Sequence, residues 1–154
     1  MKKLRVYLDT SVVGGCFDPE FAAWSNALVA DFGAERLLPV VSELVAAEVQ
    51  VAPPQVQAKF DELLSLGAEL LRIDRNALDL AAEYTRHGIL PARLRNDLLH
   101  IAMATVANVD VLVSWNFKHI VRLEKIRLYS AVNLEVGYKP IEIYSPREVA
   151  SYEE

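Results

Sequence analysis

The stretch Leu4-Arg5-Val6-Tyr7-Leu8-Asp9-Thr10-Ser11 decides how the rest of the chain is read. Val6, Tyr7 and Leu8 form a short β-prone apolar run, flanked by Leu4, that stops at a carboxylate and two hydroxyls. A nearly continuous apolar strand suits a parallel sheet covered on both faces. In open α/β sheets ligands bind outside the carboxyl ends of the strands, and Asp9 falls at that end. Asp9 or Ser11 can equally cap a following helix, and the first strand alone does not separate the two roles.

Further strands alternate with helical patterns downstream. Gly14-Gly15 marks a loop. Pro19 to Phe32 reads as a helix with Phe21, Trp24, Leu28 and Phe32 on one stripe. Leu37 to Val41 is a second strand. Ser42 is a good N-cap for a short helix from Glu43 to Gln50. After the Pro53-Pro54 break, Gln55 to Leu66 is helical and Gly67 ends it. Glu69 to Ile73 is a third strand. Asp74 or Asn76 caps a helix to about His87. Pro91 opens the longest helix, through about Ala107. Val109 to Ser114 is a fourth strand and Ile141 to Tyr144 a fifth, with a helical turn opening at Pro146. Lys118 to Pro140 carries no clear pattern; a loop, a short helix or an excursion over the sheet edge would all suit it. This alternation indicates βαβ units. The expected fold is a single-domain α/β/α sandwich over residues 1–154 with a central, mainly parallel sheet.

Bulk properties fit that expectation. The 154 residues suit one domain, and 53% hydrophobic against 24% charged residues suits a globular chain. A net charge of −5 argues against a large nonspecific nucleic-acid footprint, but not against a local basic groove or an acidic metal site. The single Cys16 rules out an intramolecular disulfide and a multi-cysteine zinc site, which suits a reducing compartment. Lys2, Lys3 and Arg5 resemble the start of a signal peptide, but Asp9 interrupts the apolar segment that would follow. No apolar run reaches membrane-spanning length. A soluble cytoplasmic protein is expected.

Two more carboxylates sit on apolar stripes. Residues three and four apart share a helix face, so Glu48 lies with Leu44 and Val45. Glu43, five positions earlier, lies about 140° round a helix of about 3.6 residues per turn. Glu48 is therefore the inward candidate. An inward carboxylate is costly unless it is paired or metal-bound, and an arginine partner would also serve. Asp97 lies beside the stripe through Leu90, Leu94, Leu98, Ile101, Ala102 and Thr105. A place near a helix start would also favour it through the helix dipole. His100 falls on nearly the same face, as a structural hydrogen-bond partner, a metal ligand or a catalytic group. The fourth strand ends at Ser114-Trp115-Asn116-Phe117. If strands one and four adjoin, Asp9, Ser114 and Asn116 converge, and Glu48 and Asp97 can project from flanking helices. Three carboxylates with hydroxyl and amide oxygens suit Mg²⁺ or Mn²⁺, which could activate water for attack on phosphorus.

These motifs resemble the PIN domain family, and within it the VapC-type toxins of toxin–antitoxin pairs. Tyr7-Leu8-Asp9-Thr10-Ser11-Val12 is similar to the first acidic motif, Ser42 to Glu48 to the second, and Asn96-Asp97-Leu98-Leu99-His100-Ile101-Ala102 to the third. Ser114-Trp115-Asn116-Phe117 resembles the fourth, where the family commonly has an acid at the position of Asn116. The resemblance implies a compact α/β/α domain and metal-dependent cleavage of RNA, usually by a homodimer, with inhibition by a small antitoxin protein. It implies catalytic roles for Asp9, Glu48, Asp97 and Asn116, with the three acids as Mg²⁺ or Mn²⁺ ligands and Thr10, Ser11 and Ser114 in support.

Trp115 and Phe117 are candidates for stacking on bases or for packing beside the strand end. Arg93, Arg95, Lys118, His119 and Arg122 are candidates for phosphate contacts, with solvated surface as the ordinary alternative. Apolar side chains such as Phe21, Trp24 and Phe60 add to the expectation of a dimer. Two rival functions remain. One is a PIN-like module that binds RNA or protein without cutting, because Asn116 replaces an acid. The other is phosphoryl transfer on an aspartate, but the haloacid-dehalogenase pattern wants a second Asp where Ser11 stands.

Overall fold

The computed structural model describes residues 2–151. Five parallel strands form one sheet in the order β3-β2-β1-β4-β5. They are β1 (Arg5–Leu8), β2 (Leu38–Ser42), β3 (Glu69–Leu71), β4 (Val111–Val113) and β5 (Ile143–Tyr144). Strand order turns back at β1. The chain runs outward through β2 and β3 on one side, then returns to lay β4 against the other edge of β1. Crossovers that run in opposite directions from β1 put helices on both faces when each is right-handed, as nearly all such connections are. The gap between β1 and β4 is the switch point of the sheet, and their register pairs Leu8 with Val113. Asp9 and Ser114 therefore leave the sheet side by side.

The helices are α1 (Thr10–Gly15), α2 (Ala22–Gly33), α3 (Glu43–Val49), α4 (Pro54–Ser65), α5 (Arg75–Arg86), α6 (Arg95–Val106), α7 (Leu123–Glu135) and α8 (Pro146–Val149). Val6, Tyr7, Leu8, Leu112 and Val113 are fully buried, as strands covered on both faces must be. Among the described residues no helix is long and apolar enough to cross a membrane.

Several sequence expectations are corrected. Gly14-Gly15 is not a loop but the end of α1, because Asp9 caps a helix that starts at once. Gly15 belongs there for want of a side chain. A Cβ on it would lie 2.7 Å from both Ser25 Oγ and Trp115 Nε1. The second helix starts at Ala22, after a turn in which Asp18 Oδ1 accepts from Glu20 N. The helix after Pro91 is broken into a 3-10 turn, Ala92–Leu94, and α6. The longest helix is instead α7, in the segment that had no clear pattern. α7 was hard to read because its buried side includes Asn133, whose amide bonds Tyr84, Thr105 and Lys139 O. Phe60 is buried, and Phe21 and Trp24 pack on the core, so these side chains are accounted for within one chain.

Candidate functional site

Asp9 is the residue that ends β1 and starts α1. Its extended backbone makes it the N-cap, and Oδ1 accepts from Val12 N at 3.3 Å. Capping is thus part of its role, but only part. Ser11 Oγ donates to Oδ1 at 2.6 Å and Ser114 Oγ to Oδ2 at 2.5 Å. Both hydroxyls in turn accept from the turn after β4, Ser11 from Trp115 N and Ser114 from Asn116 N, each at 2.9 Å. The two serines hold the carboxylate across the switch point, and Asp9 is only 4% exposed.

Glu48 lies on the inward side of α3, and Glu43 points away to accept from Ile73 N. Glu48 Oε1 accepts from Thr10 Oγ1 and from His100 Nε2, both at 2.7 Å. Asp97 is in the first turn of α6, three residues before His100, and Oδ2 accepts from Asn116 Nδ2 at 3.4 Å. The residues thus close a loop around the strand ends: Asp9, Thr10, Glu48, His100, Asp97, Asn116, Ser114 and back to Asp9. The carboxylates are not drawn tightly together. Among the described residues no three His, Cys, Asp or Glu side chains form a group that could hold a metal ion as it stands. Asp9 meets protein donors with both carboxylate oxygens, Glu48 with Oε1 and Asp97 with Oδ2.

Their electrostatics differ. Burial pushes the Asp9 carboxyl above its ordinary value, against the pull of His100 and the donors on its oxygens. Burial also raises Asp97, with His100 and His119 opposing and the charge of Glu48 adding to the rise. Burial acts upward on Glu48 too, but the hydrogen bond and charge of His100, then Thr10 and Asn96, outweigh it and leave Glu48 below its ordinary value. Among the described residues no Lys or Arg forms an ion pair with Asp9, Glu48 or Asp97. The buried Asp31, by contrast, is paired with Arg36 at 2.8 Å. Three carboxylates without a Lys or Arg partner, flanked by hydroxyl oxygens, are hard donors of the kind that Mg²⁺ or Mn²⁺ takes.

Asn116 is held by the turn that follows it. Its Oδ1 accepts from His119 N at 3.0 Å, so the amide nitrogen is the end turned to Asp97. Trp115 is buried, stacked on Phe21 with ring centroids 4.2 Å apart, and is a packing residue. Phe117 is 49% exposed. Arg93 and Lys118 are exposed, and His119 is half-buried close enough to act on Asp97. The sequence did not single out Tyr7, whose hydroxyl bonds His100 and Ser42. A tyrosine in an otherwise aliphatic buried strand was the available signal, since its hydroxyl must find a partner.

No protein-family model and no curated protein matches this sequence. Solved structures do match in shape. A chain of VapBC2 from Rickettsia felis, solved bound to a DNA fragment from their promoter, superposes with a TM-score of 0.59 at 19% identity, over 92% of this chain and 98% of that one. A chain of FitAcB from Neisseria gonorrhoeae gives 0.55 at 16% identity, over 92% and 98%. A chain of FitAB bound to an IR36 DNA fragment gives 0.57 at 15% identity, over 97% and 98%. At such identities the likeness is one of architecture: the chain has the PIN-like α/β fold, with its parallel sheet between helices.

Proposed function

We propose that this chain is a metal-dependent ribonuclease that cleaves RNA phosphodiester bonds, acting as the toxin of a toxin–antitoxin pair. The observation that carries the reading is the buried, raised carboxylate of Asp9, with Glu48 and Asp97 at the same strand ends and, among the described residues, no Lys or Arg paired with any of them. Such a group is expensive without positive charge, and a divalent cation is the charge that suits oxygen donors. Asp9, Glu48 and Asp97 would hold Mg²⁺ or Mn²⁺. The cation would offset their repulsion and supply a water activated for attack on phosphorus. Ser11 and Ser114 keep the Asp9 oxygens in place, and Thr10 does the same for Glu48. Arg93, Lys118 and His119 are the cationic candidates for backbone phosphates.

The toxin assignment, a small antitoxin partner and a homodimer rest on the motif resemblance, and a cytoplasmic location rests on the composition with its single Cys16. The fold shared with chains of VapBC2 and FitAB supports the assignment. A purified sample should cleave RNA, lose activity to a chelator and regain it with Mg²⁺ or Mn²⁺. Asp97→Asn should fold but not cut. Cleavage that survives the chelator would sink the metal reading.

The amide of Asn116 favours a second reading, a module that binds RNA or a protein without cutting. RNA binding with no cleavage at any Mg²⁺ or Mn²⁺ concentration would select it.

A further inference from the structure

Glu48 is the most exposed end of a buried chain of hydrogen bonds. Its Oε1 meets His100 Nε2 at 2.7 Å, and His100 Nδ1 meets the Tyr7 hydroxyl at 2.7 Å. The Tyr7 hydroxyl meets Ser42 Oγ at 2.8 Å, and Ser42 Oγ accepts from Val45 N at 3.2 Å. The Tyr7 and His100 rings also meet edge to face, with centroids 5.9 Å apart. Tyr7 and Ser42 are fully buried and His100 is 3% exposed. The chain ties the ends of β1 and β2 to α6, and through α6 to a side chain on α3.

One polarity satisfies every member. Ser42 donates to Tyr7, Tyr7 donates to Nδ1, and Nε2–H donates to the ionised Glu48. The inner end closes on a buried serine whose oxygen is already engaged by Val45 N–H. A proton entering at Glu48 has no exit to water there, so the chain is a brace and not a conduit. α3 has only seven residues, and a half-exposed glutamate on it would otherwise sample several rotamers.

We infer that His100 is a positioning residue: held by Tyr7 and Ser42 with Nε2–H toward Glu48, it fixes that carboxylate, with Thr10, before a cation arrives. This role rests on the metal-site reading proposed above. It makes the buried Tyr7-Ser42 pair, which touches none of the three acids through a hydrogen bond, part of what sets cation affinity. Losing such supporting partners commonly weakens a metal site about 10- to 100-fold.

The test is Mn²⁺ alone, titrated calorimetrically into folded wild type and variants, with melting temperatures followed in parallel. His100→Leu should weaken binding at least about tenfold. His100→Gln, whose amide N–H can replace Nε2–H, should keep most of the affinity. Tyr7→Phe should also weaken binding, and Tyr7→Phe combined with His100→Leu should bind no worse than His100→Leu alone, because both act through one chain. In metal-free wild type, ¹⁵N spectra of the imidazole should show a proton on Nε2, and this needs no variant to fold. A bare Nε2, or Mn²⁺ binding undiminished in folded His100→Leu, overturns the positioning role and leaves the metal reading intact. Wild type that binds no Mn²⁺ overturns the metal reading and this role with it.

Discussion

Asn116 turns its amide nitrogen, not its oxygen, toward Asp97, at 3.4 Å. A backbone N–H can only donate, so the bond from His119 N to Asn116 Oδ1 fixes which end is which. The amide thus stabilises the Asp97 carboxylate without adding negative charge. Asn116→Asp should reverse this. One oxygen can keep the His119 cap, and the other would face Asp97. At about 4 Å and an effective dielectric of about 20, two like charges repel by roughly 4 kcal/mol, an upper-end figure before solvation. The variant should melt lower than wild type without cation, bind Mn²⁺ more tightly, and need less Mg²⁺ or Mn²⁺ for half-maximal cleavage. Thermal melts with and without Mn²⁺, beside calorimetry, check this. Unchanged affinity would mean that Asn116 lies outside the reach of the metal.

Asp9 and Glu48 should show opposite pH dependence without cation. Asp9 is raised by burial above its ordinary 3.8. The folded state therefore binds its proton more tightly than the unfolded state, and ionised Asp9 lowers stability as pH rises through that window. Asp9→Asn should be at least as stable as wild type at pH 7, with the difference vanishing below about 3.8. Glu48 is lowered from 4.5, so its contribution is present above 4.5 and lost as pH falls through the folded value. Glu48→Gln should destabilise at pH 7 and do little in acid. Melting temperatures from pH 3 to pH 8 separate the two. Strong destabilisation by Asp9→Asn at pH 7 would make Asp9 a purely structural cap.

Gly15→Ala should destabilise although α1 is helical there. The new Cβ would meet Ser25 Oγ and Trp115 Nε1 at 2.7 Å, and these two are bonded to each other at 2.8 Å. Overpacking of this kind costs about 1–3 kcal/mol. For a domain of this size that lowers the melting temperature on the order of 5 °C. A melt unchanged within a degree would show that the Trp115 ring yields freely.

Phe117 and Lys118 should contribute to RNA binding in distinguishable ways. Phe117 is exposed, and its ring meets Trp115 edge to face at 6.1 Å. Stacking on a base is worth about 1–3 kcal/mol, so Phe117→Ala should weaken binding of unpaired RNA at every salt concentration. Lys118→Ala should instead reduce the salt dependence by about 0.7 in the log–log slope, the loss of one phosphate contact on a single strand. Fluorescence anisotropy with a labelled single-stranded RNA reads both. Two wild-type curves would confine RNA contacts to other side chains.

A dimer at micromolar concentration is expected by sedimentation. Since Phe21, Trp24 and Phe60 are used within the chain, the contact would have to use other apolar side chains. A monomer would remove the homodimer from the proposal.

Local patterns along the chain determined the elements that carry the acids. Val6-Tyr7-Leu8 read as a buried strand, Ser42 announced α3, and helical spacing chose Glu48 over Glu43, because each depends on side chains a few residues apart. The same patterns missed α7, whose inner face includes a buried amide, and misread Gly14-Gly15, where the glycine serves close packing and not a turn. Only the tertiary structure decided that β1 and β4 adjoin, so that Ser114 reaches Asp9 across 105 positions of sequence. It alone joined Glu48 to His100, Tyr7 and Ser42. Those contacts depend on which strand ends and helix faces meet at the switch point. Hydrogen bonds between residues far apart in the chain leave no periodic trace in it, and packing of the whole sheet is what brings them within 3 Å.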